Sequence, residues 1–239
     1  MITSKNTEKI KKYYNKGYKK YGVAFQRRYP NEELCRFIGR KFSNISTNKR
    51  KKLKVLDAGC GSSGNLWMLA NEGFKSYGLD ISNNSIRISK IVLNKKKLKA
   101  NLKVGNMIDL PYKNNFFDCV IDIFSSTHLD AEDGKKFLKE VSRVLKKNGS
   151  FFSYFPSKES KMFKSKNKTM IDSHTIYNLK EKRSAYKIKN IPFRFLNKSL
   201  YKSLLKKNKL IPIYIEEIQK TYFQGNEKFT FIAIEGKKK

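Results

Sequence analysis

No run of 18 or more apolar residues occurs in the 239-residue chain, so no membrane-spanning helix is expected. The start, Met1-Ile2-Thr3-Ser4-Lys5, passes straight into charged sequence without the apolar core of a secretory signal, and a cytoplasmic location is the default expectation. Cysteine is scarce. The three present, Cys35, Cys60 and Cys119, have neither paired nor metal-ligand spacing, which argues against a disulfide framework. With only two histidines besides, a zinc centre is not expected and no metal is assigned. Acidic residues are few as well, 20 against 53 Lys and Arg, and the formal charge is +33.

That charge admits two readings. One is a surface that attracts nucleic acid or an anionic membrane. The other is compositional drift. Lysine outnumbers arginine 44 to 9 and is spread over every segment. A surface that reads RNA or DNA more often uses arginine, for its bidentate fork. Drift accounts better for the pattern.

The length fits one main domain with a terminal embellishment. Residues 1–51 form an N-terminal helical arm or lid. Its first 22 residues are basic and carry Tyr13, Tyr14, Tyr18 and Tyr21, either as a loosely ordered arm or as a helix covering a ligand. After Arg27-Arg28-Tyr29-Pro30, Asn31 caps a helix with Glu32 and Glu33 in its first turn and Leu34, Phe37 and Ile38 on its apolar side.

The main domain, 52–239, opens with Lys54-Val55-Leu56-Asp57-Ala58-Gly59-Cys60-Gly61-Ser62-Ser63-Gly64. A short apolar run breaks into Gly59, Gly61 and Gly64 at G-x-G-x-x-G spacing, and a helical pattern follows through Leu66, Trp67, Leu69 and Ala70. Strand, glycine turn and helix in this order are the context of a nucleotide-cofactor fingerprint. Without a Cβ the turn can take positive φ and let a ligand lie against the backbone.

Further strands are expected over 76–81, 100–104, 116–124 and 150–155, with helices over 83–98 and 131–147. The stretch 156–190 is polar, basic and weakly periodic, an insertion or mobile cap. Asn197 then caps a helix bearing Leu200, Tyr201, Leu204 and Leu205. A hairpin follows, with strands 211–218 and 229–234 around Gln224-Gly225-Asn226. Five alternating β/α units, then a helix and a hairpin, imply an α/β fold. Its sheet is mostly parallel, with helices on both faces and an antiparallel strand at one edge.

Several adenosine cofactors share the glycine triplet, and the acids flanking it discriminate. Asp57, directly ahead of the glycines, would repel a dinucleotide pyrophosphate. S-adenosylmethionine carries a sulfonium and an ammonium instead, which attract a carboxylate. Asp80, nineteen residues after Gly61, ends the second strand, where a carboxylate can accept both ribose hydroxyls.

With V-L-D-A-G-C-G-S-S-G, then Y-G-L-D-I-S, then G-N-M-I-D-L-P-Y and F-F-D-C-V-I, residues 52–156 resemble the class I S-adenosylmethionine-dependent methyltransferases, in their small-molecule, type 11-like branch. The resemblance implies a Rossmann-like, doubly wound seven-stranded sheet, mostly parallel, whose last two strands are the hairpin. It implies that Gly59, Cys60 and Gly61 cradle the methionine part near Asp57. Asp80 and Ile81 would lie at the ribose, and Asn106 and Met107 beside the adenine. Asn106 stands where relatives usually have Asp; its amide oxygen still accepts a hydrogen bond.

In the family, the stretch Ser125-Ser126-Thr127-His128 faces the methyl group and the acceptor. His128 is there either a general base titrating near neutrality or a hydrogen-bonded histidine closing the strand end. Tyr21, Arg28, Ser125 and Arg194 are candidates to hold the acceptor or the cofactor carboxylate, although Arg27-Arg28 reads equally as a solvated basic turn. His174 reads as surface. The segment from Arg28 to Ile38, with Phe193-Arg194-Phe195-Leu196, is similar to bacterial methyltransferases of surface-sugar biosynthesis, which ranks a sugar or glycan precursor first among small-molecule acceptors. A tRNA or rRNA methyltransferase is the alternative. It rests on charge alone, because the Asn/Asp-Pro-Pro-aromatic tetrad of base-amine enzymes is missing after the fourth strand. A non-catalytic nucleotide-binding protein on the same fold is a third reading.

Overall fold

In the computed structural model, which describes residues 5–181 and 184–239, the sheet grows outward from the fully buried Val55 and Leu56. The first four residues of the expected arm lie outside the described residues. In chain order the elements begin with α1 (Lys5–Tyr21), α2 (Glu32–Phe42), α3 (Thr47–Arg50), β1 (Lys54–Ala58), α4 (Leu66–Asn71) and β2 (Lys75–Asp80). Next come α5 (Asn83–Lys95), β3 (Asn101–Val104), β4 (Phe117–Ile123), α6 (Ala131–Val144), β5 (Leu145–Pro156) and α7 (Lys161–Lys164). The last are β6 (Lys168–Asp172), β7 (Thr175–Leu179), β8 (Lys189–Arg194), α8 (Lys198–Lys207), β9 (Leu210–Tyr222) and β10 (Glu227–Lys238).

Seven strands form one sheet in the order β3-β2-β1-β4-β5-β10-β9, parallel from β3 to β5. The chain leaves β1 toward β2 on one side and returns as β4 on the other. The crevice at the carboxyl ends of these strands is therefore the topological switch point, where ligands of open α/β sheets bind. Alternate residues supply two core layers. Val55, Cys119, Ile121 and Phe152 face α2, and Phe37 stacks on Phe152 with centroids 4.4 Å apart. Leu56, Val120 and Phe151 face α6 through Phe137 and Val141. Full burial of each large side chain contributes about 1.5–3 kcal/mol.

Four expectations need correction. The link from β3 to β4, 105–116, contains no helix, so the run of five β/α units is interrupted there. Pro111 and the weak apolar period disfavour one, and Arg143 holds the loop by donating to the carbonyls of Leu110 and Tyr112, each at 2.8 Å. The helix expected to 147 stops at Val144, because Leu145 is already extended and pairs with Phe117. The antiparallel strand is not at the edge: β10 lies antiparallel to β5 and to β9, and β9 takes the edge. Finally, within 156–190 the chain forms α7, β6 and β7, and with β8 these strands make a small antiparallel sheet. Register shifts near Met170 and between Ile176 and Asn178 break the period-two alternation, which hides these strands in the sequence.

Of the two forms open to the N-terminal arm, the helix is observed. Thr7, Ile10 and Tyr18 on one side of α1 are buried. Asn6 Nδ2 donates to Asp130 Oδ2 at 2.9 Å, and Asn15 Oδ1 accepts from Ser82 Oγ at 2.7 Å. Asn84 Nδ2 donates to the Asn15 carbonyl at 3.0 Å, so α1 sits on the N-terminus of α5. Among the described residues no helix is long and apolar enough to cross a membrane.

Candidate active site

At the carboxyl ends of β1, β2 and β4, with α1 as its roof, lies a cavity of about 330 Å³. One wall is the glycine turn. Gly59 and Gly61 have φ of +83° and +54°, which an L side chain rarely adopts. A Cβ on Gly59 would stand 2.4 Å from the Ser125 side chain, and one on Gly61 would stand 2.7 Å from Tyr18 Oη. The N–H groups of Gly59 and Cys60 both donate to the Leu79 carbonyl, at 2.7 and 3.0 Å. The Gly61 N–H donates to Asp80 Oδ2 at 2.9 Å, and Asp80 Oδ1 accepts from the Ser82 N–H at 2.8 Å. These bonds tie the turn to the end of β2.

Cys60, Ile81, Asn106 and Met107 line the same cavity beside Asp80. Asn106 Oδ1 accepts from the Ile108 N–H at 3.3 Å, and its Nδ2 lies 3.5 Å from Thr7 Oγ1 on the roof helix. Asp57 stands one layer behind. It is fully buried, and neither carboxylate oxygen has a hydrogen-bond partner among the described residues. Burial, with Asp122 and Asp80 nearby, pushes its carboxyl up to about 8, against the smaller opposing pull of Arg27 and the Asn65 side chain.

The opposite wall is the turn after β4. The buried carboxylate of Asp122 accepts from the Ser125 and Ser126 N–H groups at 3.2 and 2.9 Å, from Ser153 Oγ at 3.0 Å and from Ser126 Oγ. One strand-end acid thus holds the whole turn. Ser125 Oγ donates to the Gly59 carbonyl at 3.0 Å and links the two walls. His128 Nδ1 lies 2.9 Å from the Pro192 carbonyl on β8, and since a carbonyl only accepts, Nδ1 carries the proton. Nε2 is then the acceptor in the 2.6 Å contact with Tyr14 Oη. Burial lowers His128 to about 4, so it does not titrate near neutrality as its ordinary value suggested; it is neutral at pH 7. Of the two readings of His128, the hydrogen-bonded ring is the one observed, with both nitrogens engaged, and the ring still lines the cavity.

Besides Asp57, which stands behind the wall, three candidates are not brought to the cavity. Tyr21 is 53% exposed and stacks on the far side of Phe25. Arg28 is exposed, and its carbonyl accepts from Trp67 Nε1 at 3.0 Å, whereas its neighbour Arg27 does line the cavity. Arg194 is buried behind the turn, where its carbonyl accepts from Thr127 Oγ1 at 3.0 Å and its guanidinium packs on Gly134. His174 is off the cavity, 2.6 Å from Ser173 Oγ. Sequence reasoning missed the aromatic lining of Phe25, Phe124, Tyr186 and Phe193, and the cation Lys187. The sequence leaves the share of α1 open between a loose arm and a covering helix; the signal that could have decided it is Thr7, Ile10, Tyr14 and Tyr18 at helical spacing.

Residues 56–153 match the family model of a methyltransferase domain. That stretch, less than half of the chain, is similar to a methyltransferase domain. An uncharacterized protein of Methanocaldococcus jannaschii is 35% identical over 59% of this chain and 49% of its own length. The ubiquinone biosynthesis O-methyltransferase of Pelagibacter ubique is 34% identical over 43% of this chain and 41% of its own. The chain thus spans about half, or less, of the length of these two curated relatives. Among solved structures, a geranyl diphosphate C-methyltransferase of Streptomyces coelicolor, crystallised with Mg2+, geranyl diphosphate and S-adenosylhomocysteine, superposes with a TM-score of 0.63. That likeness covers 99% of both chains at 14% identity, and it is a likeness of fold. The match to the methyltransferase domain ends at residue 153, so α1 and the β6-β7-β8 sheet, which complete the cavity, lie outside it.

Proposed function

We propose that this methyltransferase moves the methyl group of S-adenosylmethionine onto a hydroxyl of a small, largely apolar acceptor. The observation that carries the reading is the closure of one cavity by the Gly59–Gly61 turn on one wall and by His128 and a set of aromatic rings on the other. The residues present fit the cofactor. Gly59 and Gly61, at positive φ and with Ser125 and Tyr18 too close to admit a Cβ, leave bare backbone on the cavity wall, and the buried Asp57 carboxylate behind it suits a cationic sulfonium and ammonium. Asp80 has lone pairs left beyond its two backbone donors for the ribose hydroxyls. Asn106 and Met107 border the adenine, and Arg27, in place of Arg28, faces the cofactor carboxylate.

The bound cofactor supplies a methyl group on an activated leaving group, to be taken by in-line displacement. What remains for the protein is to align the nucleophile, exclude water and accept a proton. Ser125, anchored to the Gly59 carbonyl, fixes the distance between the two walls. Tyr13, Tyr14, Phe25, Phe124, Tyr186 and Phe193 form a wall that stacks a planar or apolar acceptor. A sugar acceptor draws less support, since Arg28 and Arg194 are outside the cavity and its acceptor side is mainly aromatic rings. The test is transfer of labelled methyl from S-adenosylmethionine into fractionated cell extract. Counts in low-molecular-weight, solvent-extractable products support the reading; counts confined to RNA, glycan or protein overturn it.

A further inference from the structure

Tyr14 enters this site from α1, 114 residues before His128, yet its hydroxyl sits 2.6 Å from His128 Nε2. The two rings meet edge to face at 5.4 Å, and both line the cavity. On its far side His128 is fixed by the Pro192 carbonyl, so its only free lone pair is the one that Tyr14 occupies. An acceptor in the cavity does not reach that lone pair without displacing Tyr14. It does reach Tyr14 Oη, which donates its proton to Nε2 and keeps lone pairs to receive another.

We infer that Tyr14 is the catalytic residue that takes the acceptor's proton, with His128 as the sink behind it. The inference rests on the reading of the cavity as a methyl-transfer site. As the acceptor oxygen bonds to the methyl carbon, the carbon–sulfur bond breaks and its electron pair stays on sulfur. The acceptor's hydroxyl proton passes to Tyr14 Oη while the Tyr14 proton passes to His128 Nε2. The imidazolium gives its proton to water after product leaves. Positive charge disappears from sulfur as it appears on the ring, so the net charge of the cavity does not change during the step. That balance lets a histidine that burial keeps neutral at rest serve as the proton sink. It also assigns α1 a chemical part: the roof helix carries the group that touches the acceptor.

The test is Tyr14→Phe, which keeps the ring and removes the hydroxyl. Label transfer into the low-molecular-weight fraction is measured from pH 6 to 9, and S-adenosylhomocysteine binding is measured by calorimetry. With S-adenosylmethionine saturating at every pH, so that Asp57 stays ionised against the bound cofactor, the wild type gives a flat rate across this range. Tyr14→Phe loses about 100-fold or more at pH 7, within general-base magnitudes, while its affinity for S-adenosylhomocysteine changes less than threefold. Its residual rate climbs about tenfold per pH unit, because the acceptor must then ionise in solvent, a dependence that a packing defect does not produce. His128→Asn falls by a similar factor and the double variant falls little further, as expected of residues acting as one unit. A Tyr14→Phe rate within fivefold of wild type, or an unchanged pH profile, overturns the relay and leaves the function standing. A wild type that binds S-adenosylhomocysteine and labels no small molecule overturns the function and the relay with it.

Discussion

Asp57 and His128 are both buried, and burial drives each toward its neutral form: the carboxyl's pKa rises and the imidazole's falls. For Asp57 this has a measurable consequence. Its folded value, about 8, lies above the ordinary 3.8, so between these values the folded chain binds a proton that the unfolded chain has lost. Its contribution to stability therefore falls as pH rises from about 4 to about 8 and is flat beyond. Asp57→Asn removes that fall. Thermal melts without ligand show the variant gaining on wild type between pH 5 and pH 8.5, and its affinity for S-adenosylhomocysteine drops several-fold, the loss of an anion one layer behind the ligand's ammonium. Parallel melting curves of the two proteins across that range would contradict the assignment. Asp57, Gly59, Gly61 and Asp80 were legible because each is read from local spacing around one turn. Tyr14 was visible only as one of four tyrosines, because its partner is distant in the chain and their contact exists only after folding.

The roof helix is the element on which the account turns. Asn15 ties it to Ser82 and Asn84, two to four residues beyond Asp80, and Tyr14 ties it to His128. One helix thus bridges the wall proposed to hold the cofactor and the wall proposed to hold the acceptor. Asn15→Ala removes the hydrogen bonds that Oδ1 accepts from Ser82 Oγ and the Asn84 N–H, worth about 1 kcal/mol each, and keeps the backbone carbonyl's bond to Asn84 Nδ2. Hydrogen exchange in residues 7–18 should then speed up several-fold and slow again on addition of S-adenosylhomocysteine, while β1 and β4 stay protected. Equal exchange in variant and wild type would show that the contact does not anchor the helix. Elements with strong periodicity were legible, such as α2, α6 and the central strands. Those governed by long-range pairing were not. β6 and β7 are broken by bulges, the helix-free 105–116 link is held by Arg143 from α6, and the place of β10 inside the sheet depends on a partner 70 or more residues away.

Across the whole molecule, the excess cations are dispersed. Lys54, Lys96 and Lys9 lie over the rings of Phe116, Trp67 and Tyr177, on separate parts of the surface. Such stems cover aromatic surface while keeping the charge in water. The central claim lies instead at the switch point of the sheet, where a glycine cradle, two buried acids and a roofed aromatic cavity meet. Calorimetric titration of the full chain with S-adenosylhomocysteine tests it most directly. The account predicts one site with a micromolar dissociation constant, about −8 kcal/mol, and a clear weakening in Asp80→Ala. No heat with S-adenosylhomocysteine, alongside saturable binding of NAD to the same folded chain, would contradict it.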